Sequence, residues 1–96
     1  MTDVTSSRKE MTPNLGQKLI VLTSGTTVTG GTDTLTLTLS DFGLKKVLSW
    51  DAVVHTTEDS VIVKETGTTA VSGGVFTYTT ASGNNDKKRV VTVVGE

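Results

Sequence analysis

The chain has 96 residues, no cysteine, one proline and a formal charge of −1. That length holds one domain and leaves no room for a second hydrophobic core. Nine basic against ten acidic residues give no global field for nucleic acid or an anionic membrane, and without cysteine there is no disulfide, thiolate metal site or thiol nucleophile.

Threonine dominates. The chain has 20 Thr and 14 Val, so two β-branched residue types fill 34 of its 96 positions. Such side chains favour pleated, half-buried surfaces and exclude a helical bundle. The longest apolar run, Leu19-Ile20-Val21-Leu22, is too short for a transmembrane helix, and the polar start does not read as a secretory signal.

In chain order, residues 1–14 (MTDVTSSRKEMTPN) lack apolar periodicity and read as a flexible arm that orders only against a partner. The run Leu19–Leu22 predicts a strand buried on both faces. A short strand is possible over Thr26 to Thr29, between the turn signals Ser24-Gly25 and Gly30-Gly31. Thr34 to Leu39 alternates strictly, with Leu35, Leu37 and Leu39 on one face. Ser40 and Asp41 offer caps for one helical turn over Phe42 to Lys46. Val47 to Thr57 is the longest strand, with Leu48, Trp50, Ala52 and Val54 sharing a face opposite Ser49, Asp51 and His55. After a turn at Glu58-Asp59, Ser60 to Thr66 pairs back onto it. A short segment around Ala70-Val71 precedes Gly73-Gly74, Val75 to Thr80 carries Phe76 and Tyr78 on one face, and Arg89 to Val94 closes the chain as a Val-rich strand.

About seven strands with regular turn signals predict an all-β fold, a small β-sandwich of Ig-like or jelly-roll-like kind. The flexible N-terminal arm covers 1–14 and the single domain 15–96. The expected core is Leu35, Leu37, Leu39, Leu48, Trp50, Val54, Phe76 and Val91.

No motif points to catalysis. His55 is the only histidine and reads as a surface or interface residue. Asp41-Phe42-Gly43 copies a kinase triplet in a chain too short for the rest of that machinery. Gly30-Gly31 and Gly73-Gly74 lead into no helix, so hairpin turns explain them better than phosphate loops. Asn84-Asn85-Asp86 reads as an Asx-rich turn, since no glutamate completes a calcium loop. Lys87-Lys88-Arg89 is a compact basic run without the interleaved aromatics of a nucleic-acid site. Glu58, Asp59 and Glu65 could be offered as an acid/base pair, but so small a core leaves little volume for a cleft. The expectation is a non-enzyme with no cofactor and no catalytic or metal residues.

The stretch LTLSDFGLKKVLSWDAVVHTTEDSVIVKE, then TTAVSGGVFTYTT and the closing KKRVVTVVGE, resembles small virion proteins of tailed bacteriophages, some of which are capsid decoration or cement proteins. The marks are a Thr/Leu strand ending in a Ser-Asp-aromatic-Gly turn, a Val-His-Thr-Thr segment and a Val-rich last strand, over roughly residues 34–96. The resemblance implies a structural protein on the capsid exterior that binds the major capsid protein, as a homo-oligomer and most simply a trimer, without nucleic acid or membrane. The arm lies outside the matched region. Its Arg8, Lys9, Met11, Pro13 and Leu15 are the candidate partner-binding residues: the three apolar ones supply anchors, and Pro13 lowers the entropy lost on docking. A tail or head–tail connector subunit is an alternative. So is a carbohydrate-binding or adhesion module, although Trp50 and Tyr78, its stacking candidates, sit on apolar strand faces.

Overall fold

A computed structural model describes residues 2–14 and 17–96, with the side chains of 2–11 and 17–96. Among the described residues, eight strands form two antiparallel sheets. They are β1 (Thr5–Asn14), β2 (Gln17–Ser24), β3 (Thr34–Thr38), β4 (Val47–Thr57), β5 (Val61–Lys64), β6 (Thr68–Ser72), β7 (Val75–Thr79) and β8 (Arg89–Gly95). One sheet has the order β1-β2-β8-β4-β5, the other β3-β7-β6. The fold is a small all-β sandwich, as the composition and alternation predict.

The core lies between the middle strands of each sheet. Ile20 and Leu22 of β2, Val91 and Val93 of β8, and Ala52 of β4 meet Leu35, Leu37, Phe76 and Tyr78 of β3 and β7, all buried in one cluster. Period-two alternation produces this directly, because every second residue of β3, β7 and β8 points inward. On β2 the alternation is weaker than the run Leu19–Leu22 predicts: Ile20 and Leu22 are buried, while Leu19 and Val21 are half-buried.

Several expectations are corrected. The segment read as an arm is laid down as β1, paired with β2 from Thr5↔Ser24 to Asn14↔Gln17. Its exposed residues carry no apolar alternation, so the strand rests on its backbone ladder, which polarity does not betray. Leu48 is 44% exposed. The ladder between β4 and β8 shifts between Val47↔Gly95 and Ser49↔Val94, and this bulge turns Leu48 out while Val47 and Trp50 pack against the core. No strand forms over Thr26 to Thr29; Val28 is buried there in a loop, and its carbonyl accepts Asp86 N–H at 2.7 Å. The helical turn comes earlier than predicted, as a 3-10 turn over Leu39–Phe42 entered from Thr38 without a side-chain cap and ended by Gly43 at φ 70°. Burial of both Leu39 and Leu44 draws the chain into that turn.

The two glycine pairs separate. Gly73 and Gly74, at φ 59° and 77°, form the two-residue hairpin between β6 and β7, the mirror-type turn that favours glycine. Gly30-Gly31 lies instead in the connection that crosses from β2 to β3. There Gly30 N–H donates to Asn85 Oδ1 at 2.8 Å, and a Cβ on Gly30 would collide with Gly83 O.

Candidate functional site

Three places gather polar or exposed apolar groups: a buried ionic node, a closed side of the sandwich and an open side. The node is built on Arg89, the first residue of β8, whose side chain is fully buried. Its Nη2 meets Glu65 Oε2 at 3.0 Å and Gly83 O at 3.1 Å. Nε lies 3.2 Å from the same carboxylate oxygen, and Nη1 donates to Asn84 O and Lys87 O at 2.6 and 2.8 Å. A guanidinium has five N–H donors, and protein acceptors occupy all of them. Glu65 in turn accepts the Tyr78 hydroxyl at 2.7 Å. Burial, then the hydrogen bond and charge of Glu65, push the Tyr78 phenol well above its usual range, so it stays a donor. The Tyr78 ring lies 5.5 Å from that of Trp50, tilted by 53°.

This geometry settles two candidates. Arg89 is no part of an exposed basic run: it ties the loop of Gly83, Asn84 and Lys87 to the core and has no donor left for a ligand. Glu65 is committed to Arg89 and Tyr78, while Glu58 and Asp59 are exposed in the turn before β5, so the three carboxylates form no acid/base pair. Nor is His55 a surface residue. It is buried at 7% exposure, because the β4–β5 turn folds over it: Asp59 N–H donates to His55 Nδ1 at 3.0 Å. Lys88 Nζ meets Asp59 Oδ1 at 3.1 Å.

The closed side is made by the chain's first residues. Val4 N–H donates to Thr34 O and Thr34 N–H to Thr2 O, both at 2.8 Å, so the segment pairs with β3 before it joins β2 in the other sheet. Asp3 organises the crossing. Its Oδ1 accepts the Thr5 hydroxyl at 2.7 Å, and its Oδ2 accepts the Thr36 hydroxyl at 2.6 Å and Arg8 Nη2 at 3.1 Å. Arg8 Nε donates to Thr36 O at 2.7 Å, and Thr36 N–H donates to Thr5 Oγ1 at 2.9 Å. Burial raises the Asp3 pKa, but the hydrogen bonds from Thr36 and Thr5 and the Arg8 charge outweigh it and hold the carboxyl below its ordinary 3.8.

The candidate partner-binding residues are thereby divided. Arg8, opposite the inward Leu22, is engaged in sealing the edge. Lys9 and Met11, opposite Val21 and Leu19, stand on the other face and are exposed. The side chain of Pro13 and the whole of Leu15 lie outside the described residues.

The open side is formed by β5 and β6, every residue of which is exposed. Val61, Ile62, Val63 and Val71 are 48, 52, 42 and 53% exposed. Register shows why this is unusual. Val63 stands opposite Val54 and Val71 opposite Phe76, both core residues. Their strands therefore continue the inner faces of the two sheets past the point where the sheets cover each other. The sequence signal was present in the apolar run Val61-Ile62-Val63, but a run of that kind reads as buried unless something shows that nothing packs on it.

No protein-family model, no curated protein and no solved structure matches this chain.

Proposed function

We propose that the chain is a structural virion protein that decorates and stabilises a bacteriophage capsid by binding the major capsid protein. The observation that supports this most is the open side: a sandwich this small leaves four large apolar residues of β5 and β6 exposed, Val61 and Val63 on one face of β5, Ile62 on the other and Val71 on β6. Exposed apolar residues concentrated on two strands of a small domain mark surfaces that partners cover. The phage-like stretch over roughly residues 34–96 supplies the class of partner. The buried Arg89–Glu65–Tyr78 node suits the role, since a clamp transmits load only if its loops are fixed to its core. Lys9 and Met11, exposed together on edge strand β1, are the residues of the proposed capsid contact that remain free of the sealing network.

Two measurements test the reading. Mass spectrometry of purified virions from the phage that encodes the chain should find it in many copies, and its absence would remove the proposal. Added to undecorated heads, the purified protein should bind the exterior and raise their resistance to heat. Met11→Asp should weaken that binding while leaving the melting temperature of the free protein unchanged.

A further inference from the structure

Strand β5 ends the five-stranded sheet, and among the described residues no strand pairs with its outer edge. The ladder fixes which groups face outward. Glu65 N–H donates to Ala52 O at 3.0 Å, and Thr56 Oγ1 donates to Val61 O at 3.3 Å. Residues 61, 63 and 65 thus direct their backbone groups toward β4, and alternation turns the N–H and C=O of Ile62 and Lys64 to the free edge. Sheet edges are usually blunted by proline, bulges or charge. Val61 to Val63 carries no proline and no charge, the bulge beside it lies on the β4 side, between His55 and Thr57, and the Lys64 that follows is held by Asp51 at 3.1 Å. At the far edge of the same sheet, β1 presents Arg8, Lys9 and Glu10 in succession, which discourages pairing there.

We propose that β5 is a homotypic interface, in which a second copy of this chain pairs its β5 antiparallel to the first about a two-fold axis at Ile62. The partner is identified by register. Antiparallel pairing about a two-fold puts residues of the same face opposite one another, so the axis must fall on a residue. Centred on Ile62, Val61 meets Val63 of the second copy and Ser60 meets Lys64, so over residues 60–64 apolar faces apolar and no like charges oppose; the next pair outward, Asp59 against Glu65, joins carboxylates already held by Lys88 and Arg89. Centred on Val61, the register sets Ser60 against Ile62 and Asp59 against Val63. Centred on Val63, it sets Lys64 against Ile62 and pulls at Glu65, which the Arg89 node already holds. The segment Ser60-Val61-Ile62-Val63-Lys64 is self-complementary in the first register alone. In that register the outward backbone groups of Ile62 bond to their own copies at the axis, and Lys64 N–H reaches Ser60 C=O on either side.

The inference stands apart from the capsid reading, because it is decided with the purified chain alone. It also differs from the trimer implied by the phage resemblance, since this pairing closes after two copies. The strip is short, so the association belongs to the weak, micromolar class.

Sedimentation velocity from micromolar to several hundred micromolar should show the mass move from one chain to two. Ile62→Lys, at an exposed position, should leave the far-UV spectrum unchanged and raise the dissociation constant about a hundredfold or more, because it sets like charges together on the axis. An equimolar mixture of Ile62→Lys and Ile62→Glu should dimerise again, and Val71→Lys on β6 should dimerise like the parent. Ile62→Cys gives a second reading in a chain with no cysteine of its own. Residues opposed in an antiparallel pair lie within disulfide reach, so mild oxidation should yield a covalent dimer, and Val71→Cys should not. A strict monomer over the whole range, a trimer, or a dimer that Ile62→Lys leaves equally tight would each overturn the proposal.

Discussion

The two sides of the sandwich are finished in opposite ways. On one, the chain crosses from β3 to β2, its backbone at Thr2 and Val4 bonds Thr34, and the side chains of Asp3, Thr5 and Arg8 bond Thr36 on the exposed edge of β3. On the other, β5 and β6 end in uncovered valines and an isoleucine, and the polar chemistry lies behind them, where Glu65 leaves β5 and meets Arg89. Sealing at the surface involves half-exposed charges that water screens, whereas the node is dry. The side that looks unfinished is therefore the one anchored more strongly. This arrangement lets an edge stay free for a partner without fraying.

The comparison predicts its own largest effect. Glu65→Gln leaves the buried guanidinium without its counter-charge and should cost about 3–5 kcal/mol, most of the stability of a marginal domain. Chemical denaturation of the variant at neutral pH measures it. Exchanging both partners, Glu65→Gln with Arg89→Met, should recover only part of the loss, since the carbonyls of Gly83, Asn84 and Lys87 then lose their donors as well. Full recovery by the double variant would mean that the loop does not depend on Arg89.

Next in size is Trp50→Ala. Trp50 is half-buried, packs on the core from β4 and faces the Tyr78 ring. Its removal should cost about 2–3 kcal/mol, below the range for a fully buried tryptophan. A melting temperature equal to that of the parent would show that the ring contributes nothing across the sheets.

What the residues disclosed and what they concealed follow the same division. The alternation of Leu35, Leu37 and Leu39, the face of Phe76 and Tyr78 and the Gly73-Gly74 hairpin are local patterns, and the sandwich was legible from them. Leu48 was misplaced because a bulge shifts parity, and one extra residue has no signature in a Val-rich strand. Arg89 was hidden in a basic run, where a buried cation and a solvated one look alike until its acceptors, Glu65 and three loop carbonyls, are in place. Strand β1 was concealed for the converse reason: its ladder is backbone, and its exposed side chains carry no record of it. Of the candidate contact residues, Lys9 and Met11 keep the exposure the reading required, while Arg8 is taken by an edge that no one-dimensional pattern shows.

On the closed side the effect should be smaller and dependent on pH. Asp3 is exposed enough for solvent to screen its pairing with Arg8, so Asp3→Asn should cost about 0.5–1 kcal/mol at neutral pH. The sign follows from its lowered pKa. The ionised carboxylate is favoured in the folded state, so its contribution is complete above the ordinary value of 3.8 and is lost as pH falls through the lower folded value. Melting temperatures of the parent and Asp3→Asn should differ at pH 7 and converge under acid. A difference that persisted unchanged at the lowest pH would assign the effect to packing instead of charge.

The smallest effect should come from the exposed end of a single rung of the ladder, whose buried end serves as the contrast. Val54 and Val63 are direct partners on the inner face of the five-stranded sheet, yet Val54 is 1% exposed and Val63 is 42% exposed. Threonine has nearly the shape of valine and exchanges a methyl group for a hydroxyl, so the same substitution probes whether each site is dry. At Val54 the hydroxyl must be buried among apolar neighbours, and Val54→Thr should cost about 1–3 kcal/mol. At Val63 water reaches it, and Val63→Thr should stay within about 0.5 kcal/mol of the parent. The measurement belongs at a concentration low enough to keep the chain monomeric, because pairing of β5 would cover Val63 and give it a cost of its own. A large loss at Val63 in the dilute monomer would mean that the inner face is covered there after all, and the open side would then be no edge left for a partner.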